Sequence, residues 1–132
     1  MNREKIREHT MQAIYQMDAT GNFDYASLNP IEEAANALAK PQAEKTLTAV
    51  RDHIAEIDEL ISGCLDKWTI DRVAKTDLAI LRNAAAEMMF NDDLPVKVSI
   101  NEAVKLSKQY GDEKSYAFVN SVLSKMEKKI KR

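Results

Sequence analysis

The stretch Pro95–Leu123, PVKVSINEAVKLSKQYGDEKSYAFVNSVL, decides the fold. It reads as a loop, a helix, a glycine stop and a second helix. Pro95 biases Leu94 away from helical backbone, so the preceding element ends by about there. Ser99 and Glu102 stand three apart, just ahead of apolar periodicity. This is the spacing of a capping box, in which each side chain satisfies a backbone N–H at the other position. Ile100, Ala103, Val104 and Ser107 then share one helical face. Gly111, after Tyr110, is placed to end that helix in a left-handed conformation. Ser115 is a cap for the next helix, whose inner face is Val119, Val122, Leu123 and Met126. Tyr116 and Phe118 sit in its first turn, partly off that face, beside Lys114. A cation next to two aromatics at a helix start can receive a nucleic acid, or it can be plain packing. Physics alone favours packing.

Upstream the same signals recur. A first helix covers roughly Arg3 to Asp18, with Ile6, Thr10, Ala13, Ile14 and Met17 as its stripe and Gly21 as its stop. Tyr15 projects off that stripe. Asn22 to Leu28 reads as a loop. Asn29, Pro30 and Glu32 together mark a helix start, and this short alanine-rich helix ends near Lys40. Pro41 opens the longest helix, to about Lys67. Leu47, Val50, Ile54, Ile57, Ile61, Cys64 and Trp68 recur there in steps of three and four, the inner seam of a bundle strut. Thr69 to Lys75 holds a short turn or helix. Thr76 or Asp77 caps a further helix to about Asn91, apolar over most of its circumference, as expected of a bundle centre.

Gly and Pro number three each among 132 residues, which disfavours a turn-rich all-β fold. No Gly/Ser linker or internal repeat divides the chain. The expectation is one all-α domain over residues 1–132. It is a bundle of about seven helices in two packed halves, roughly 1–68 and 69–132. One cysteine, Cys64, allows no internal disulfide, and with His9 and His53 it gives no zinc spacing. No phosphate loop or nucleophile elbow is present. Asp77 and Glu87 stand near the apolar helix but make a weak case for acid–base catalysis. No metal or cofactor is expected, and binding outranks catalysis. No run of about 18 apolar residues spans a membrane, and the mixed-charge N-terminus is no secretion signal, so a cytoplasmic location is expected.

Net charge is −2, but its distribution is uneven. Residues 1–94 carry 10 basic and 17 acidic side chains, whereas residues 95–132 carry 9 basic and 4 acidic. The last third can attract an anion. Its terminal Lys125, Lys128, Lys129, Lys131 and Arg132 also complement a helix C-terminal dipole.

The segments Ala79-Ile80-Leu81-Arg82, Ile100-Asn101-Glu102-Ala103-Val104, Tyr110-Gly111 and Phe118-Val119-Asn120 resemble the NusB transcription antitermination factor family. So do Arg7-Glu8 with Gln12-Ala13-Ile14-Tyr15, Ile57-Asp58, and Trp68 with Asp71-Arg72. The resemblance runs in order over nearly the whole chain. It implies an all-helical fold in two sub-bundles and a non-enzymatic role. It implies pairing with NusE, a small-subunit ribosomal protein, on single-stranded boxA RNA of nascent transcripts, notably from ribosomal RNA operons. With other Nus factors the pair acts on RNA polymerase so that it reads through terminators. Carried over by position, the RNA contacts are Arg3, Lys5, Arg7, Ser115, Tyr116 and Phe118, with Lys114 beside them. The NusE-facing residues are Tyr15, Asp77 and Arg72. Two departures stand out: glutamates interrupt the basic arm, and Ser121 replaces the glycine usual after Phe-Val-Asn. Two other readings stay open at this point. One is the NusB-like RNA-binding domain of an rRNA cytosine methyltransferase, which requires the sequence to be a fragment. The other is a homodimeric helical scaffold.

Overall fold

The computed structural model describes residues 1–130. Lys131 and Arg132 of the basic tail lie outside the described residues. Among the described residues six α-helices follow one another: α1 (Arg3–Thr20), α2 (Glu32–Leu38), α3 (Pro41–Ser62), α4 (Lys75–Phe90), α5 (Val96–Tyr110) and α6 (Glu113–Lys129). Two 3-10 turns, Tyr25–Ser27 and Ile70–Arg72, punctuate the connections, and no strand occurs among the described residues.

The architecture is organised around α4, which packs on α1, α3, α5 and α6. Its residues from Asp77 to Met88 are all buried, so no face of this stretch reaches solvent. The alanines in its sequence explain how: small side chains let four neighbours approach one helix. Leu78, Ile80, Leu81 and Met88 interlock with Ile14 and Met17 of α1, Leu47, Val50, Ile57 and Ile61 of α3, and Val119, Leu123 and Met126 of α6 in one core. Burying a Leu, Ile or Met side chain stabilises by about 1.5–3 kcal/mol, so this cluster dominates the favourable side of folding.

Several helix ends differ from the sequence expectation. Gly21 does close α1 in the left-handed region, at φ 74°. By contrast, α5 begins at Val96, a turn before the expected capping box, with Pro95 as its cap residue. Ser99 is therefore inside the helix and buried, and its hydroxyl finds no hydrogen-bond partner among the described residues. Glu102 lies 3.6 Å from Lys105 instead of reaching back to a cap. Gly111 is extended, at φ −122°, not left-handed. A glycine serves there because a Cβ would lie 2.6 Å from the Ser115 Cβ. The cap of α6 is Asp112, whose carboxylate accepts the Ser115 N–H at 2.9 Å. Ser115 is thereby displaced from the capping role. No side chain caps α2, which starts two residues after Pro30, or α4, which starts at Lys75 ahead of Thr76 and Asp77.

The seam of α3 also stops early. The helix ends at Ser62, and Asp66 takes a left-handed φ of 56°, which aspartate tolerates better than most residues. Trp68, numerically in phase with the seam, falls beyond this turn and is 54% exposed. Cys64 is buried as expected, and burial pushes its thiol pKa up.

Candidate nucleic-acid interface

The corner where α5 meets α6 forms one wall of a cleft of about 680 Å³. The opposite wall comes from Trp68, the Ile70–Arg72 turn and the first turn of α4. The cap at Asp112 fixes where α6 begins, and this places Lys114, Ser115 and Phe118 on the cleft. Ser115 Oγ donates a short hydrogen bond to Asp77, tying α6 to the start of α4. Phe118 is half-buried and packs against the core while lining the opening. Lys114 is exposed and forms no ion pair among the described residues. Tyr116 is engaged differently: the Lys108 ammonium of α5 lies 4.9 Å from its ring centroid.

The N-terminal arm divides into two kinds of cation. Arg3 and Lys5 are exposed, though Lys5 pairs with Glu8 at 3.0 Å. Arg7 is 5% exposed, and its Nε donates to Glu87 Oε2 of α4 at 2.8 Å. It belongs to the interior, where no phosphate can reach it without disrupting the packing. The glutamates of the arm are anchors as well. Glu4 takes Lys105 at 3.0 Å, and Glu8 accepts from Gln109 at 2.8 Å and from the Tyr110 hydroxyl. The Tyr110 bond, more than any other interaction, holds the Glu8 carboxyl below its ordinary pKa. Burial, then Glu8, pushes the phenol above its own.

Tyr110 therefore joins the two candidate regions. It is bonded to Glu8 and Gln12 of α1 and also lines the cleft with Lys114 and Phe118. Its resemblance to the family's Tyr-Gly pair was the only sequence signal for it. Trp68 is the other cleft residue that sequence reasoning missed, because periodicity placed it on the inner seam of α3.

Of the three residues expected to face a protein partner, Tyr15 is 43% exposed on α1. Arg72 is exposed on the rim of the cleft. Asp77 is 7% exposed and committed to Ser115, so it shapes the surface from within. No cluster of three or more metal-ligating side chains occurs among the described residues, and no helix among them is long and apolar enough to cross a membrane.

This architecture matches known proteins over its length. The profile of the NusB family matches residues 4–128. The transcription antitermination protein NusB of Bacillus velezensis is 42% identical over 132 residues, with 98% of each chain covered. Among solved structures, T. maritima NusB superposes with a TM-score of 0.80 at 29% identity, covering 97% of this chain and 92% of that one. A crystal structure of the antitermination factors NusB and NusE with double-stranded RNA gives 0.76 at 28% identity, covering 98% and 99%. The chain belongs to the NusB family.

Proposed function

We propose that this protein is a transcription antitermination factor. It binds boxA-type single-stranded RNA of nascent transcripts, notably those of ribosomal RNA operons, as a heterodimer with NusE. Together with other Nus factors it adapts RNA polymerase to read through terminators. It works by binding, not by catalysis, and in the cytoplasm. The observation that carries this reading is the corner at the start of α6. There an exposed Lys114, with no ion pair among the described residues, and the half-buried aromatic Phe118 face one cleft, in a fold shared over nearly its whole length with NusB proteins.

The chemistry of the corner fits an unpaired strand. Cations neutralise phosphates, and an aromatic ring on a rigid helix stacks a base whatever its identity. Arg3, Lys5 and Lys114 supply charge, while Ser115, Tyr116 and Phe118 supply the polar and stacking contacts. Arg7 serves the site by fastening the arm to α4. Tyr15 and Arg72 face NusE, and Asp77 holds the Ser115 hydroxyl in place.

The test is fluorescence anisotropy of labelled boxA RNA and a scrambled control, with and without NusE, over a salt series. Binding by the protein alone should be weak and should strengthen with NusE. With three phosphates neutralised by Arg3, Lys5 and Lys114, the slope of log K against log salt should be roughly −2 for this chain's share. Salt-independent binding, or no binding with NusE present, overturns the reading.

A further inference from the structure

A second groove, of about 470 Å³, opens on the other side of the aromatic ridge that borders the first cleft. Its lining includes Lys67, Trp68, Phe118, Ser121 and Lys125. Trp68 and Phe118 line both hollows, so the two rings form the partition between them. We propose that this groove takes the nucleotide adjacent to the one held at Phe118, with its base stacked on Trp68. This rests on the RNA-binding reading above.

Three observations carry it. First, Trp68 is the chain's only tryptophan, and it is 54% exposed. An indole can bury 150–250 Å² (about that much), so leaving it half in water forgoes a large stabilising contribution. Second, the exposure is built. The left-handed Asp66 turns the chain, the Trp68 N–H donates to the Leu65 carbonyl at 3.1 Å, and the Lys125 ammonium of α6 bonds the Asp66 carboxylate. The platform is thus pinned to the same helix that carries Phe118. Third, cations border both hollows. In the second groove Lys125 pairs with Asp66 and leaves exposed Lys67 as the surplus charge. In the first, Arg72 and Lys114 stand on the rim with Asp112, while Asp77 is turned to Ser115. An aromatic platform flanked by cations, continuous with a site of the same kind, fits an extended single strand better than an apolar protein segment.

The lone tryptophan is also the probe. The full chain, in complex with NusE, is titrated with 5′-labelled boxA RNA, and RNA anisotropy and tryptophan emission are read in parallel. Subtracting the Trp68→Phe signal isolates Trp68 from any tryptophan in NusE. RNA should quench Trp68 emission. Trp68→Ala should weaken RNA binding about tenfold or more, while Trp68→Phe, which keeps a stacking face, should retain most of the affinity. Trimming the RNA one nucleotide at a time from each end should abolish the Trp68→Ala penalty at a length where the Phe118→Ala penalty persists. Thermal melts of each variant control for folding.

Normal RNA affinity of Trp68→Ala, with unchanged wild-type emission, removes the groove from the RNA path and leaves the Phe118 site standing. A Trp68→Ala defect in NusE binding, with RNA affinity kept, assigns the ridge to a protein contact and overturns the inference. Failure of the wild-type complex to bind RNA at all overturns the RNA-binding reading itself.

Discussion

Replacing Glu87 with alanine should destabilise this protein far more than any surface substitution, because Arg7 would be left charged and enclosed. The two side chains are 6% and 4% exposed, and Arg7 Nε stands 2.8 Å from Glu87 Oε2. At an effective dielectric of about 20, their attraction is about 6 kcal/mol. Desolvating both ions consumes much of that, so the intact pair contributes little net stability. Removing one partner does not restore the balance: the surviving ion remains dehydrated, at a cost of about 3–5 kcal/mol. A domain of this size is stable by only about 5–15 kcal/mol, so roughly a fifth or more of its stability is at stake. In urea the midpoint should fall by roughly 2 M. The double variant Arg7→Met, Glu87→Leu fills the same space with apolar groups and should recover most of the loss. Urea titrations followed by circular dichroism measure all three. The argument fails if Glu87→Ala stays within about 1 kcal/mol of the parent, or if the double variant is no better than the single one. The same double variant assigns Arg7. Full RNA affinity keeps Arg7 in the interior, whereas full stability with lost RNA affinity makes it a phosphate contact.

Other perturbations bear on the α5–α6 corner. Tyr110→Phe removes the strongest influence lowering the Glu8 carboxyl pKa, so in an NMR titration that carboxyl should move up toward its ordinary range. A carboxylate depressed in the folded state stabilises above its unfolded pKa, and that contribution is lost as pH falls through the folded value. The Tyr110→Phe deficit should therefore be present at pH 7 and vanish in acid. Asp112→Ala should cost about 1 kcal/mol as a lost cap, yet tighten RNA binding slightly by removing an anion from the cleft rim. Melting curves and anisotropy read the two opposite effects. Gly111→Ala should lower stability by about 1–3 kcal/mol, because its Cβ collides with Ser115 and must displace the α6 backbone. An unchanged melting temperature would refute that geometry.

The helices and their inner faces were legible because burial imposes a period that sequence displays directly. The buried face Val119, Val122, Leu123 and Met126 of α6, and the near-complete burial of α4, follow the apolar pattern. Helix starts were less legible. Ser99 and Glu102 match a capping box by spacing, but both are ordinary residues inside a helix, and spacing does not say where backbone turns extended. Trp68 continued the α3 seam by number, while the turn at Asp66 had already broken the helix. Arg7 was the hardest, since its burial depends on Glu87, 80 positions away. One signal was available: Arg7 stands on the inner stripe with Thr10 and Ile14, and a glutamate sits on the otherwise apolar α4. The corner at Lys114–Phe118 combined both cases, because resemblance located it but only the folded chain shows its neighbours Tyr110 and Trp68.

The central position of α4 also sets the order in which the protein can be made. α1, α2 and α3 leave the ribosome first; α2 packs on α1 and α3, but α1 and α3 turn much of their apolar stripes toward a helix not yet synthesised. Arg7 must likewise wait for Glu87. A chain released at residue 74 would hold α1 and α3 beside an empty axis, a substrate for chaperones and proteases more than a folding intermediate. Once Phe90 has cleared the exit tunnel the axis is filled, and α5 and α6 have a finished surface on which to dock. Synonymous codons that slow translation before Lys75 should therefore lengthen the vulnerable interval, whereas the same pause after Phe90 should be tolerated.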